Sequence, residues 1–95
     1  MEGQILITTS GLNEEFEIID SIFALDSSSA GLFFGADPNA AFDKVKEQLR
    51  KKCKQLGGDA VINCQFEYRV AVADGLLGSK QVIEIFAYGT AVRLN

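Results

Sequence analysis

The 95-residue chain has no histidine, no tryptophan, one proline, one methionine and only two cysteines. Histidine is the one side chain whose unperturbed pKa lies near neutrality. Its absence excludes His-based acid–base chemistry, Ser–His and Cys–His dyads and His-ligated metals within one chain. Two cysteines eleven residues apart do not make a disulfide framework, and in a reducing compartment they stay thiols. No apolar run of about eighteen residues occurs, so no membrane-spanning helix is expected. The opening MEGQILITTSG carries Glu2 and no basic residue, unlike a secretory leader, and the cytosol is the expected location. Glycine spacings of the Walker and dinucleotide-binding kinds are missing too. These absences together point away from an enzyme.

What is present is an ordinary globular composition, 47% apolar and 23% charged, which argues against disorder. The length fits a single domain over residues 1–95. The net charge of −4 speaks against a nucleic-acid partner, which a clear positive excess would announce. Six of the nine basic residues nevertheless lie within eleven positions, Lys44 to Lys54.

Residues 4–9, QILITT, read as a first strand, closed by Ser10 and Gly11. Residues 12–15 turn the chain into a second strand over 16–26. Phe16 and Ile18 fall on one parity there, and Ile19, Phe23 and Leu25 on the other. A β-bulge near Ile18–Asp20, or burial of both faces, explains the switch. Serines 27–29 are expected to end this strand. The segment 30–36, AGLFFGA, has no clear period and fits either a packed loop or a short extra element.

Residues 37–56 predict an amphipathic helix, with Asp37 as cap and Pro38 at the first helical position. Phe42, Val45, Leu49, Cys53 and Leu56 form its apolar stripe. Cations in the last turns suit the helix dipole, and Gly57 and Gly58 supply the exit. From Ala60 to Val72 the period becomes two, with Ala60, Ile62, Cys64, Phe66, Tyr68, Val70 and Val72 on one face. Residues 73–80 read as a hairpin loop, and 81–94 as the last strand, antiparallel to its predecessor.

That last strand is apolar on both sides. Ile83, Ile85, Ala87, Gly89 and Ala91 share one face; Val82, Phe86, Tyr88 and Val92 share the other. The helix can cover one face, and no other element is left to cover the second. The expectation is self-association through Val82, Phe86, Tyr88, Gly89 and Val92. The fold class is α+β, in the order β-β-α-β-β, with one helix on a largely antiparallel sheet.

The stretch LGGDAVINCQFEY (56–68), the ending YGTAVRL (88–94) and the opening ILITTSGLNEEFEIIDSIFAL (5–25) resemble the YbjQ family. The resemblance implies a dodecin-like subunit, with the opening forming a first hairpin, that assembles into a ring, with a homopentamer as the expected stoichiometry. It also brings a heavy-metal-binding label, and selenium binding through cysteine is attached to one archaeal relative. Family members carry a longer insert between the second strand and the helix than SSSAGLFFGADPN.

Periodicity points Cys53 and Cys64 toward the helix–sheet interface. Two readings of the pair stay open. Free cysteine commonly fills a core as a small hydrophobe. Thiolates are also the preferred ligands of soft metals, although two thiols fall short of a four-ligand zinc site. The basic run Arg50–Lys54 reads as a solvated helix end, or as a contact for an acidic segment such as Glu14–Glu17 of another subunit. Asp59 is expected to bond nearby backbone donors.

Overall fold

Phe42, Val45, Leu49 and Cys53 recur at helical spacing and form the core-facing stripe of α1 (Pro38–Gln55), with Phe42 partly and the other three fully buried. The computed structural model describes residues 4–29, 38–75 and 78–95. The expected Asp37 cap and the 30–36 segment lie outside them. The helix ends as its two glycines predict. Gly58 N–H donates to the Cys53 carbonyl at 2.9 Å and Gly57 N–H to the Lys54 carbonyl at 3.0 Å, with Gly57 at φ 79°. That is the paired closure of a left-handed helix stop. Leu56, expected to complete the stripe, falls beyond the last helical turn and is exposed.

The helix packs on a four-stranded mixed sheet of order β1-β3-β4-β2, where β1 is Leu6–Ile7, β2 Phe16–Ser29, β3 Ala60–Gly75 and β4 Gly78–Leu94. β3 and β4 form an antiparallel hairpin, and β2 runs antiparallel to β4 on its other side. The element order is the expected one, but the opening does not form a hairpin. β1 is two residues long and pairs in parallel with β3, at the edge opposite β2. Two other boundaries move. Ser27–Ser29 continue β2, because Glu84, Ile83 and Val82 offer them a ladder. The 73–80 loop is mostly strand, with Gly75 opposite Gly78 and the latter at φ 112°.

Two bulges set which residues face the helix. On β2 the register shifts between Ile18 and Asp20, as the parity break predicts. Ile19, Ile22 and Ala24 therefore join the helix-side core, while Phe16, Ile18, Phe23 and Leu25 take the far face. On β3 the shift falls between Ile62 and Gln65, so Asn63 and Cys64 oppose the single residue Gly89. Asn63 adopts φ 53°, a left-handed conformation that asparagine tolerates better than most residues. Its N–H donates to the Ser10 carbonyl at 3.0 Å, and Cys64 N–H to the Thr8 carbonyl at 3.0 Å. The single face expected for 60–72 is thus divided. Val61, Cys64 and Phe66 face the helix, whereas Ala60 and Ile62 join Val92, Leu12 and Phe16 in a second, smaller core behind the sheet.

The hairpin outruns the helix. Phe42 meets Phe66 edge-on at 5.9 Å, and beyond that contact Tyr68, Val70 and Val72 are exposed on the helix side. The radius of gyration is 15.9 Å, against about 12 Å for a globule of this length. The projecting arm contributes to this excess.

Candidate functional site

Cys53 and Cys64 arrive in one core cluster from opposite layers. Cys53 comes from the last full turn of α1, and Cys64 from the second position of the β3 bulge. Neither has any solvent exposure. The Cys53 thiol donates to the Ala60 carbonyl at 3.5 Å, within the range for sulfur. Burial pushes both thiols above their ordinary pKa, and the Asp59 carboxylate adds to the effect on Cys53. The thiolate is the form that attacks disulfides and binds soft metals. Burial therefore holds both side chains in their less reactive form. Among the described residues, no group of three or more His, Cys, Asp or Glu side chains is arranged to hold a metal ion.

Two glycines shape this cluster. A Cβ at Gly58 would stand 2.6 Å from the Cys53 sulfur, and one at Gly89 would stand 2.7 Å from the Cys64 sulfur. Gly89 is itself buried, and the atoms that crowd it belong to its own chain. Asp59 works as the sequence suggested. Its carboxylate accepts from Leu94 N–H at 2.9 Å, while its own N–H donates to the Val92 carbonyl at 2.8 Å.

The far face of the sheet has the two-sided character read from β4. Phe86 and Tyr88 sit side by side, ring centroids 5.6 Å apart, with exposures of 41% and 39%. Phe23 lies opposite Tyr88 and Leu25 opposite Phe86 on β2, each 56% exposed. Of the five residues expected at an interface, Phe86 and Tyr88 are open to a partner. Val92 is fully buried under Leu12 and Phe16 of its own chain, and Gly89 faces the helix side. Val82 stands opposite Ser29 and Ala71 in the ladder, and its side chain lies outside the described ones. Phe23 and Leu25 were not anticipated here. The β2 bulge was legible, but carrying its one-residue shift along the strand is what puts them beside Tyr88 and Phe86.

A shallow groove of about 500 Å³ is lined by Leu25, Glu67, Tyr68, Arg69, Glu84 and Phe86, and it reaches this face at Leu25 and Phe86. Arg69 Nε donates to Glu84 at 2.7 Å across the β3–β4 ladder. Aromatic anchors ringed by an arginine and carboxylates resemble the make-up of a protein interface, with an apolar centre and a polar rim. On the opposite side, Lys52 Nζ donates to the Phe23 carbonyl and Gln48 Nε2 to the Leu25 carbonyl. The helix thereby covers part of β2, which is an edge strand.

A family model described as "Putative heavy-metal-binding", YbjQ, matches residues 35–95. Among solved structures, the chain is similar to a protein of unknown function of the DUF74 family, the same family, from Pediococcus pentosaceus. The identity is 27% and the TM-score 0.72, over 96% of this chain and 98% of that one. No curated protein matches the chain in sequence.

Proposed function

The chain belongs to the YbjQ family, and from that premise we propose that it is a non-enzymatic subunit of a ring-forming homo-oligomer. The observation that carries the reading is the uncovered aromatic face of Phe23, Leu25, Phe86 and Tyr88. Fully covering a side chain of this kind is worth about 1.5–3 kcal/mol, and four of them clustered make a patch that a second copy would bury. The pentamer expected from the family resemblance is the stoichiometry proposed. A small ligand or ion would sit in the groove beside Arg69 and Glu84, which assembly would enclose. The missing histidine and the protonated, buried thiols favour binding over catalysis. Sedimentation equilibrium of the wild type and of Phe86→Asp tests the interface. The wild type sediments as an oligomer and the variant as a monomer; an intact Phe86→Asp assembly contradicts the choice of face.

The family description favours a second reading, capture of a soft heavy metal by Cys64, with or without Cys53, and the resemblance adds selenium as an alternative ligand. Titration of the folded chain with cadmium at neutral pH separates the two readings. Thiolate–metal absorption that disappears in Cys64→Ser supports metal capture. A folded chain that takes up no cadmium supports a packing role for both thiols.

A further inference from the structure

The charges of this chain are segregated. Helix α1 carries Lys44, Lys46, Arg50, Lys51, Lys52 and Lys54 against Asp43 and Glu47, a net of +4. The whole chain is −4, which leaves −8 on everything outside the helix. Arg50 is paired with Glu47, and Lys52 is held by the Phe23 carbonyl. Lys44, Lys46, Lys51 and Lys54 make no ion pair with any described residue. Lys51 and Lys54 border a groove of about 480 Å³ between the end of the helix and the start of β1. Asp59 also borders it, but its carboxylate is already engaged by Leu94 N–H.

The acidic counterpart lies at the start of β2. Glu14, Glu15, Glu17 and Asp20 fall within seven residues, and all four are exposed. Glu17 is paired with Arg93 at 2.8 Å, and Asp20 accepts from Ser21 N–H at 2.8 Å. Glu14 and Glu15 have no cationic partner among the described residues. They adjoin Phe16 and the exposed Ile18 at one end of the apolar sheet face.

We infer that the basic outer face of α1, centred on Lys51 and Lys54, docks on the Glu14–Asp20 segment of a second copy of this chain. The inference rests on the self-association proposed above and states which surfaces meet. Local charge complementarity selects the occupant: a second copy shares the net charge of −4, but it presents Glu14 and Glu15 to Lys51 and Lys54, none of them in an ion pair with a described residue. The two patches are different surfaces of one chain, so the contact is head-to-tail and leaves a free patch at each end. Repeated contacts of this kind close into a ring when the rotation permits. The apolar face supplies adhesion, and the charged rim supplies register and encounter rate.

A charge swap tests the pairing by sedimentation equilibrium of the full chain, with circular dichroism to verify folding. Raising the salt from about 0.1 M to about 1 M shortens the screening length from about 10 Å to about 3 Å. The wild-type dissociation constant is expected to rise about tenfold across that range. Glu14→Lys with Glu15→Lys, both on an exposed loop, weakens assembly at low salt to a similar extent. Adding Lys51→Glu and Lys54→Glu to that variant restores assembly. An assembled wild type whose affinity is unmoved by the acidic reversal, or a four-fold swap that restores nothing, overturns the docking and leaves self-association standing. A wild type that stays monomeric overturns both.

Discussion

The Cys64 thiol occupies the space in which a side chain at position 89 would stand. A Cβ at Gly89 would lie 2.7 Å from its sulfur, 2.8 Å from the Val61 Cγ1 and 3.2 Å from the Ile62 carbonyl. The glycine and the bulge on β3 are therefore one device: the extra residue pushes Cys64 inward, and β4 yields by carrying no side chain there.

Gly89→Ala accordingly overpacks the site and destabilises the fold by about 1–3 kcal/mol. Urea denaturation of the single variant against Gly89→Ala/Cys64→Ala checks it. The double variant recovers part of the loss, because the sulfur is the closest of the three atoms. The Val61 methyl and the Ile62 carbonyl keep the recovery incomplete.

The buried thiols give a second prediction, in pH. Both folded-state pKa values are raised above the ordinary 9.0, mainly by burial. The folded chain thus holds these protons more tightly than the unfolded one. Their contribution to stability is fully present below the unfolded-state pKa and is lost as pH rises through the folded-state values. Stability falls as the pH climbs past about 9, and the difference between wild type and Cys53→Ala/Cys64→Ala isolates the thiols from lysine and tyrosine titration. In native buffer at neutral pH, alkylation of both cysteines proceeds only as fast as the core opens.

Asn63 gives the third. A left-handed φ costs a residue with a Cβ about 1–2 kcal/mol, and β-branching adds to it. Asn63→Gly is expected to leave thermal stability close to wild type, while Asn63→Val lowers it by about 2 kcal/mol or more. Equal stability of the two variants would remove the backbone argument for the bulge.

The two bulges differ in how visible they are in the sequence. The β2 bulge breaks the alternation of Phe16, Ile18, Ile19, Phe23 and Leu25, so the pattern itself announces an extra residue. The β3 bulge hides, because Ala60 to Val72 alternate without a break. Both sides of the sheet are apolar at that level, so the slipped register buries Ile62 in the rear core as well as the unslipped one would bury it in front. Asn63 was the only local signal, as a residue able to take positive φ. The helix was legible down to its glycine stop, since capping and period agree there. The pairing of β1 was not, because a two-residue strand carries no period and its partner is chosen by the Thr8 and Ser10 carbonyls that meet the bulge. For the candidate interface, Phe86 and Tyr88 were read correctly as exposed on the far face, whereas Val92 was not. What covers it, Leu12 and Phe16, comes from a distant part of the chain.

Native mass spectrometry of the wild-type chain at micromolar concentration is the most direct test of self-assembly through the sheet's aromatic face. The prediction is one dominant oligomeric mass, five chains by family resemblance, that Phe86→Asp reduces to single chains. A wild-type spectrum dominated by the single chain would contradict it.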